Sequence, residues 1–228
     1  MHRIAALLAV VVSTVAITPP AWADDSRDAP FWAGYMALRT NGFKYVSATW
    51  TVPGATCDAD EDSAVAVWVG MGSQTSGENT VDQTGTVTEC DDGLPRYRTF
   101  AEAYPAKPVY LFDVAPGDTI HARITMGTGK FDYFIMDYDS AEFDSGELAT
   151  TGRGRSAEVI VEGPKNEPMT RFDRIELRNA KINDIPIGRR DLVHWTMTDP
   201  DSSDRKVRAY ASRLTDGGRD FNVYFLRP

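Results

Sequence analysis

The sequence predicts an all-β protein, an antiparallel β-sandwich of two large sheets similar to the concanavalin A-like lectins and glucanases. Short segments that alternate apolar and polar residues, rich in β-branched and aromatic side chains, are typical of half-buried strands. The segments between them carry Gly, Pro and Asp, which favour turns. No window has a convincing helical face, and many short strands without helices between them indicate a sandwich or barrel.

The strands follow one another along the chain with turn residues between them. SAVAVWVGMG, for example, is a buried apolar run that ends at glycines. The predicted strands cover 43–53, 63–72, 79–87, 96–105, 109–114, 119–126, 130–139, 156–164, 171–180, 192–198, 206–214 and 220–226. The carboxylate-rich segment 137–147 lacks the ligand spacing of an EF-hand loop, so we interpret it as a solvated acidic hairpin rather than a calcium site.

Length and composition are those of a globular protein. The chain has 228 residues, 42% of them hydrophobic and 25% charged, which excludes a disordered, collagen-like or coiled-coil protein. The formal net charge of −9 argues against nucleic acid as a partner, because an acidic surface repels phosphate. Nothing in the sequence demands a partner protein, and a monomer is the default expectation.

Residues 1–23 have the layout of a secretory signal peptide. A basic start is followed by a short apolar run and by small residues in an A-x-A arrangement that ends at Ala23. The shortness of the run favours a signal peptide over a membrane anchor, and no later stretch has the roughly 18 apolar residues that a span needs. We expect a secreted, extracellular protein with a short extension over 24–30 and one domain over 31–228.

Cys57 and Cys90 are the only cysteines in the chain. Export would place them in an oxidising compartment, where a disulfide is permitted. Pairing would close a loop of about 33 residues and stabilise the fold by roughly 3.7 kcal/mol in the chain-entropy estimate. Two free surface thiols are the alternative, and the spacing does not match a zinc site.

Common catalytic motifs do not occur in the sequence. The two histidines after the signal peptide, His121 and His194, both lie in strand patterns, where packed or surface roles are usual. The G-x-S-x-G, HExxH, P-loop and G-x-G-x-x-G patterns are absent. We therefore expect no metal and no cofactor.

Some polar residues lie on strand faces that are otherwise apolar or aromatic, since side chains two residues apart share a face. They are Gln83, Glu102, Glu158 and Glu162. A buried carboxylate on such a face costs free energy, so the plain explanation is that these faces are solvated and the glutamates lie on the outer sheet surface. Aromatic side chains beside carboxylates also describe a polymer-binding groove, and this interpretation remains open.

Seven motifs then occur in a consistent order and spacing. They are FWAGY (31–35), VSATWTVP (46–53), VWVGMG (67–72), VDQTGTV (81–87), FAEAYP (100–105), VAPGDTI (114–120) and AEVIVEGP (157–164). Together they resemble the motifs of the eqolisins, the glutamic peptidases of family G1. The resemblance implies the same sandwich fold that the strand pattern predicts, and it implies peptide hydrolysis without a metal or cofactor.

The resemblance assigns a Gln/Glu dyad. Gln83 would be the catalytic glutamine and Glu162 the catalytic glutamate, with Glu158 in a supporting role roughly 13 Å away along the strand. Ionised Glu162 would take a proton from a water that attacks the scissile carbonyl, and Gln83 would stabilise the oxyanion. The residues that match substrate-binding or cleft-supporting positions are Trp32, Trp68, Glu102 and Tyr104.

The chain departs from the family pattern at two places. The motif that contains Trp68 usually continues to an aspartate, where this chain has Gly72, and Glu102 is flanked by Ala101 and Ala103 instead of aromatic residues. These changes leave the substrate preference and the tuning of the dyad open. The large positive charge that the chain would carry near pH 3 predicts a milder acid optimum, roughly pH 4–5.5.

The favoured function is therefore a secreted acid endopeptidase that acts on protein or peptide substrates. Three alternatives remain. A non-catalytic glycan- or polymer-binding module would use the same sandwich. A glycoside hydrolase would use two carboxyl groups, Glu102 and Glu162, roughly 5–10 Å apart. A degenerate peptidase homologue would keep the scaffold without turnover.

Overall fold

The computed structural model describes residues 25–72, 80–164, 168–199 and 204–228, and the predicted signal peptide over 1–23 lies outside these ranges. Within the described ranges the regular structure is almost entirely strand. The strands are β1 (Asp25–Ala29), β2 (Trp32–Leu38), β3 (Tyr45–Thr51), β4 (Ser63–Gly72), β5 (Val81–Asp91), β6 (Leu94–Tyr104), β7 (Val109–Asp113), β8 (Thr119–Met126), β9 (Lys130–Asp137), β10 (Phe143–Ala149), β11 (Ser156–Glu162), β12 (Arg174–Ile182), β13 (Ile185–Pro186), β14 (Leu192–Thr198), β15 (Val207–Ala211) and β16 (Phe221–Phe225). One 3-10 turn covers Ile187–Arg189, and no helix in the described ranges could span a membrane.

Each predicted strand overlaps an observed one, and the predicted bounds of β4 are those of the structure. β2 was not predicted because it is buried on both faces, so it does not alternate, and it lacks the β-branched residues that identify the buried run of β4 as a strand. The alternation test missed β10 because this strand is polar and lies at the end of the sheet, in a hairpin with β9. The acidic hairpin predicted over 137–147 corresponds to that turn and the first half of β10. The expected extension over 24–30 contains β1, which pairs in parallel with β14.

The strands form one continuous hydrogen-bonded path in the order β10-β9-β8-β3-β12-β16-β15-β14-β2-β11-β4-β5-β6-β7. Two halves of this path face each other, since β5 packs against β8 and β9, and β3 packs against β4 and β11. The predicted antiparallel sandwich is confirmed. Its two layers are joined at one edge through β16, β15 and β14 instead of being separate sheets.

The main core lies between the two layers. From one layer, alternate residues of β4 and β11 point inward, including Val67, Val69, Val159 and Val161. From the other come Trp50, Ile120, Ile124, Ile135 and Phe131. Because side chains alternate along a strand, the even-numbered residues of β4 and β11 lie on the opposite face of their layer. That face carries a second, smaller apolar cluster that includes Trp68 and Ile160.

The predicted disulfide between Cys57 and Cys90 is confirmed, with the two Cα atoms 5.5 Å apart. It ties the segment before β4 to the end of β5. We expect the double substitution Cys57→Ala, Cys90→Ala to lower the free energy of unfolding by about 2–4 kcal/mol, measured by urea unfolding at pH 5. Reductant should produce a comparable loss in the wild type and none in the double variant. Equal stability of both proteins in oxidising buffer would show that the crosslink contributes nothing.

Candidate active site

The predicted site residues lie on the face of β2, β11, β4, β5 and β6 that points away from the main core, which we call the site face. Gln83 on β5 is in register with Gly70 on β4 and with Glu102 on β6. Glu162 on β11 is in register with Ala66 on β4. Residues in register point to the same side of a sheet, so Gln83, Glu158 and Glu162 share one face of one layer. Across β4, Gln83 is in register with Gly70 and Glu158, whereas Glu162 lies four residues, roughly 13 Å, further along the strand.

Glu162 is partly buried against two indoles. Trp68 donates its Nε1–H to Oε2 of Glu162 at 2.8 Å, and the ring of Trp32 meets that of Trp68 edge to face at 5.4 Å. Burial raises the pKa of Glu162 to about 7, the indole N–H groups of Trp32 and Trp68 oppose that rise, and the charge of Glu102 adds to it. A carboxyl group with such a pKa can both accept and return a proton under mild conditions.

Gln83 is held by Glu102. Its side-chain Nε2 donates to Oε2 of Glu102 at 2.6 Å, and Gln83 is only 7% exposed. Burial raises the pKa of Glu102, while the amide donor of Gln83 opposes that rise. A primary amide carries two N–H groups, so one remains after the bond to Glu102 and can serve another acceptor.

The side chain of Trp68 contacts both Glu162 and Gly70, the residue of β4 in register with Gln83. A Cβ atom placed on Gly70 would lie 2.8 Å from Cζ3 of Trp68, so the benzo edge of the indole lies over Gly70, in register with Gln83. The pyrrole N–H at the other end of the ring binds Glu162. Trp68 is 0% exposed, so it contacts Glu162 from a buried position, and its role in substrate binding stays a prediction. Gly70 was not among the residues predicted for the site. A glycine two residues after Trp68, on the same strand face, is the sequence feature that could have indicated it.

Glu158 corrects one expectation. It is 0% exposed, so the solvated outer face expected for the glutamates is wrong at this residue. Neither carboxyl oxygen has a hydrogen-bond partner of good geometry. Burial raises the pKa of Glu158 to about 8, the charge of Asp82 adds to it, and the nearby Ser156 hydroxyl opposes it.

The structure also explains why Gly72 carries no side chain. A Cβ atom at this position would lie 2.5 Å from the backbone oxygen of Thr80 and 3.5 Å from Oε1 of Glu158. An aspartate at position 72 would require the backbone at Thr80 to move, and it would place a further carboxyl group beside Glu158. The departure from the family motif therefore fits the local packing.

The remaining candidate residue, Tyr104, lies near the rim of the site face. Tyr104 ends β6 and is 42% exposed. Arg98, which sequence analysis did not single out, lies on the same side of β6 as Glu102, forms an ion pair with Glu89, and stacks 3.5 Å over the ring of Tyr110. Since side chains two residues apart share a strand face, Arg98, four residues before Glu102, could have been predicted on the same face from the sequence.

The histidines lie elsewhere. His194 on β14 is in register with Tyr35 and stacks on its ring at 4.9 Å, and Tyr35 belongs to the main core. His121 on β8, in the opposite layer, contacts Oγ1 of Thr49 through Nδ1 at 3.1 Å. Both have structural contacts, and neither lies in register with Gln83 or Glu162.

One group of carboxylates in the described ranges lies close enough together to hold a metal ion: Asp118, Asp137 and Asp139, with ligand atoms within 4.8 Å of one another. Each already accepts local hydrogen bonds. Asp118 binds the backbone N–H of Ala115, Asp139 binds that of Thr119, and Asp137 binds the turn after β9. These contacts account for the cluster as part of an acidic turn, in keeping with the hairpin interpretation.

Solved structures share this fold over most of the chain. Scytalido-glutamic peptidase with a transition state analog inhibitor superposes with a TM-score of 0.71 at 18% identity, covering 86% of this chain and 98% of that chain. SCP-B, a member of the eqolisin family in a complex with the tripeptide Ala-Ile-His, gives 0.62 at 17% identity, with coverage of 86% and 98%. Aspergilloglutamic peptidase from Aspergillus niger gives 0.53 at 18% identity, with coverage of 72% and 99%. No curated protein matches the chain.

The fold and the site face thus define a β-sandwich of the glutamic peptidase class. A family model described as the Peptidase A4 family matches residues 30–211. The chain belongs to this family, the eqolisins, and is a hydrolase of the glutamic endopeptidase type, so the family predicted from the seven motifs is confirmed.

Proposed function

We propose that this protein is a secreted acid endopeptidase in which Gln83 and Glu162 act together on one water molecule. The observation that carries the proposal is their placement on one face of one layer, where the indole of Trp68 extends along β4 from the Glu162 carboxyl to Gly70, next to Gln83. The substrate and the two side chains must together span the four-residue offset between Glu162 and Gln83, whereas Glu158 is in register with Gln83. The signal-peptide layout of residues 1–23 and the disulfide support secretion.

The chemistry follows from the contacts of each side chain. Ionised Glu162 takes a proton from a water that attacks the scissile carbonyl, and the free N–H of Gln83 stabilises the developing oxyanion. Glu102 positions the amide through its bond to Nε2. Protonated Glu162 then returns the proton to the leaving nitrogen, so one group serves as base and acid in turn.

The raised pKa of Glu162 has a consequence for pH dependence. At low pH the carboxyl is protonated and cannot act as a base, so the ionised fraction grows as the pH rises toward 7. Activity on the acid side should therefore increase from pH 3 toward pH 5.5. Because the ionised fraction still grows above pH 5.5, this chemistry alone places the optimum higher than the pH 4–5.5 expected from the net charge.

A direct test of the class is digestion of a denatured protein by the mature chain at intervals from pH 2 to 8. Parallel reactions would contain an inhibitor of aspartic peptidases or a metal chelator. We expect cleavage that both reagents leave unchanged and that is stronger near pH 5 than at pH 2. Complete loss of cleavage with either reagent, or no cleavage by a folded protein at any pH, would refute the proposal.

The glycoside hydrolase alternative is not favoured. It requires Glu102 and Glu162 to act as a pair with Gln83 pointing away from them. Glu102 does influence Glu162 electrostatically. However, Gln83 points to Glu102 and donates a short hydrogen bond to it.

Trp68 offers a test of how the pKa of Glu162 is set. The Trp68→Phe variant loses the N–H that stabilises the ionised carboxyl. We expect the acid limb of the kcat/KM profile to move to higher pH by up to about one unit. Trp50→Phe is the matched control, because Trp50 donates its Nε1–H to Thr86 inside the main core and should leave the limb in place. An unshifted limb in a folded Trp68→Phe protein would contradict this role.

A further inference from the structure

A surface pocket of about 290 Å³ lies beyond the C-terminal end of β2. Leu38 lines it at one end of β2, whereas Trp32, next to Glu162, lies at the other end. A strand rises roughly 3.3 Å per residue, so the six-residue separation places the pocket about 20 Å from the site along the strand. It is therefore independent of the proposed dyad.

The charge of the pocket lining differs from that of the whole chain. Arg39, Arg189 and Arg190 line it, together with the single acid Asp191. The chain as a whole has a net charge of −9. A concentration of guanidinium groups on an acidic protein is a local positive potential that attracts anions.

These guanidinium groups are not engaged in ion pairs within the described ranges. Other arginines of the protein do have carboxylate partners: Arg98, Arg171, Arg174, Arg178, Arg205 and Arg219. In the pocket, Arg190 is fixed by one bond from Nη2 to the backbone oxygen of Ile182 at 2.9 Å, while its Nε is buried without a partner. A buried donor without a partner costs free energy unless a ligand or water satisfies it.

We propose that this pocket binds a tetrahedral oxyanion, as a free sulfate or phosphate or as the same group on an organic ester. Guanidinium groups bind such oxyanions through paired, charge-assisted hydrogen bonds. Leu38 and Phe43 add apolar surface to the lining, and the organic part of an ester would contact this surface.

The test is a titration of the mature protein with sodium sulfate and with phenyl sulfate. Binding is measured by calorimetry and by the shift of the thermal midpoint, Tm. Chloride at matched ionic strength controls for screening. We expect a saturable rise in Tm with either sulfate and not with chloride. Tighter binding of phenyl sulfate would identify an ester as the ligand, and equal binding would identify the free anion.

The arginine variants decide whether the pocket is responsible. Arg39→Gln and Arg189→Gln should each weaken sulfate binding about tenfold. Both residues are exposed, so the fold should tolerate their replacement. Arg178→Gln, an exposed arginine on β12 outside the pocket, should bind like wild type, and all variants should keep wild-type peptidase activity. A rise in Tm that does not saturate, that chloride reproduces, or that persists when Arg39 and Arg189 are both replaced would overturn the proposal.

Discussion

Replacing Glu162 with Gln is expected to lower kcat/KM for peptide hydrolysis by about 10³-fold or more, since glutamine at this position cannot take a proton from water. Glutamine keeps the size of the side chain and an oxygen that can still accept the N–H of Trp68. The loss should therefore come without unfolding. A fluorogenic peptide assay at pH 5, with the thermal midpoint recorded for each protein, measures both effects.

The matched control is Glu176→Gln. Glu176 lies on β12 and pairs with Arg174 and Arg178, away from the site face, and its replacement should leave kcat/KM within about twofold of wild type, as is usual for surface substitutions. Gln83→Ala should cost about 10²–10³-fold, the usual effect of removing one oxyanion donor. Wild-type rates in a folded Glu162→Gln protein would exclude this residue as the base.

The second large effect concerns stability rather than catalysis. Burial raises the pKa of Glu158 to about 8 from an ordinary value of 4.5. Between these values the unfolded chain releases the proton and the folded chain keeps it, so Glu158 costs stability progressively as the pH rises from about 4.5 to 8. We expect Glu158→Gln to be more stable than wild type by roughly 2–4 kcal/mol at pH 8 and nearly equal to it at pH 4.

Urea unfolding of both proteins at pH 4, 6 and 8 checks this prediction. The informative quantity is how the difference in unfolding free energy between variant and wild type changes with pH. A packing defect would change this difference equally at pH 4, 6 and 8. A difference that is the same at pH 4 and pH 8 would mean that the ionisation of Glu158 is not linked to folding.

Asp82 acts in the same direction as Glu158. It is buried, accepts one hydrogen bond from Thr150, and has its pKa raised to about 6 by burial. The folded state is thus favoured when these carboxyl groups are protonated, whereas the proposed chemistry needs Glu162 ionised. Together these requirements limit the pH range of activity. At low pH Glu162 is protonated and cannot act as the base, and at high pH the fold loses stability.

The sequence predicted strands whose two faces differ in burial and also buried strands rich in β-branched residues, such as β4. The segment that forms β8, for example, alternates between core and surface, and alternation along β11 placed Glu158 and Glu162 on one face. The apolar run of β2, WAGYMAL, carries neither signal, since both of its faces are covered and it contains no β-branched residue. The polar strand β10 carries none because little of it is buried.

Other features depend on contacts between distant segments, which no local pattern encodes. The burial of Glu158 depends on the packing of neighbouring strands, and alternation alone favoured a solvated face. The position of Trp68 over Gly70 depends on a side-chain rotamer. The arginine pocket joins residues 37–43 to residues 189–191, which only the pairing of β2 with β14 brings together. Cleavage after Ala23 and the monomeric state stay predictions.

A double-mutant cycle tests most directly whether Gln83 and Glu162 act on the same water. The kcat/KM values of wild type, Gln83→Ala, Glu162→Gln and the double variant are measured at pH 5 under identical conditions. If the two side chains serve one reaction step, the double variant is about as slow as Glu162→Gln alone, since groups that act as a unit are not additive. Losses that multiply in the double variant would show two independent contributions and contradict the proposed dyad.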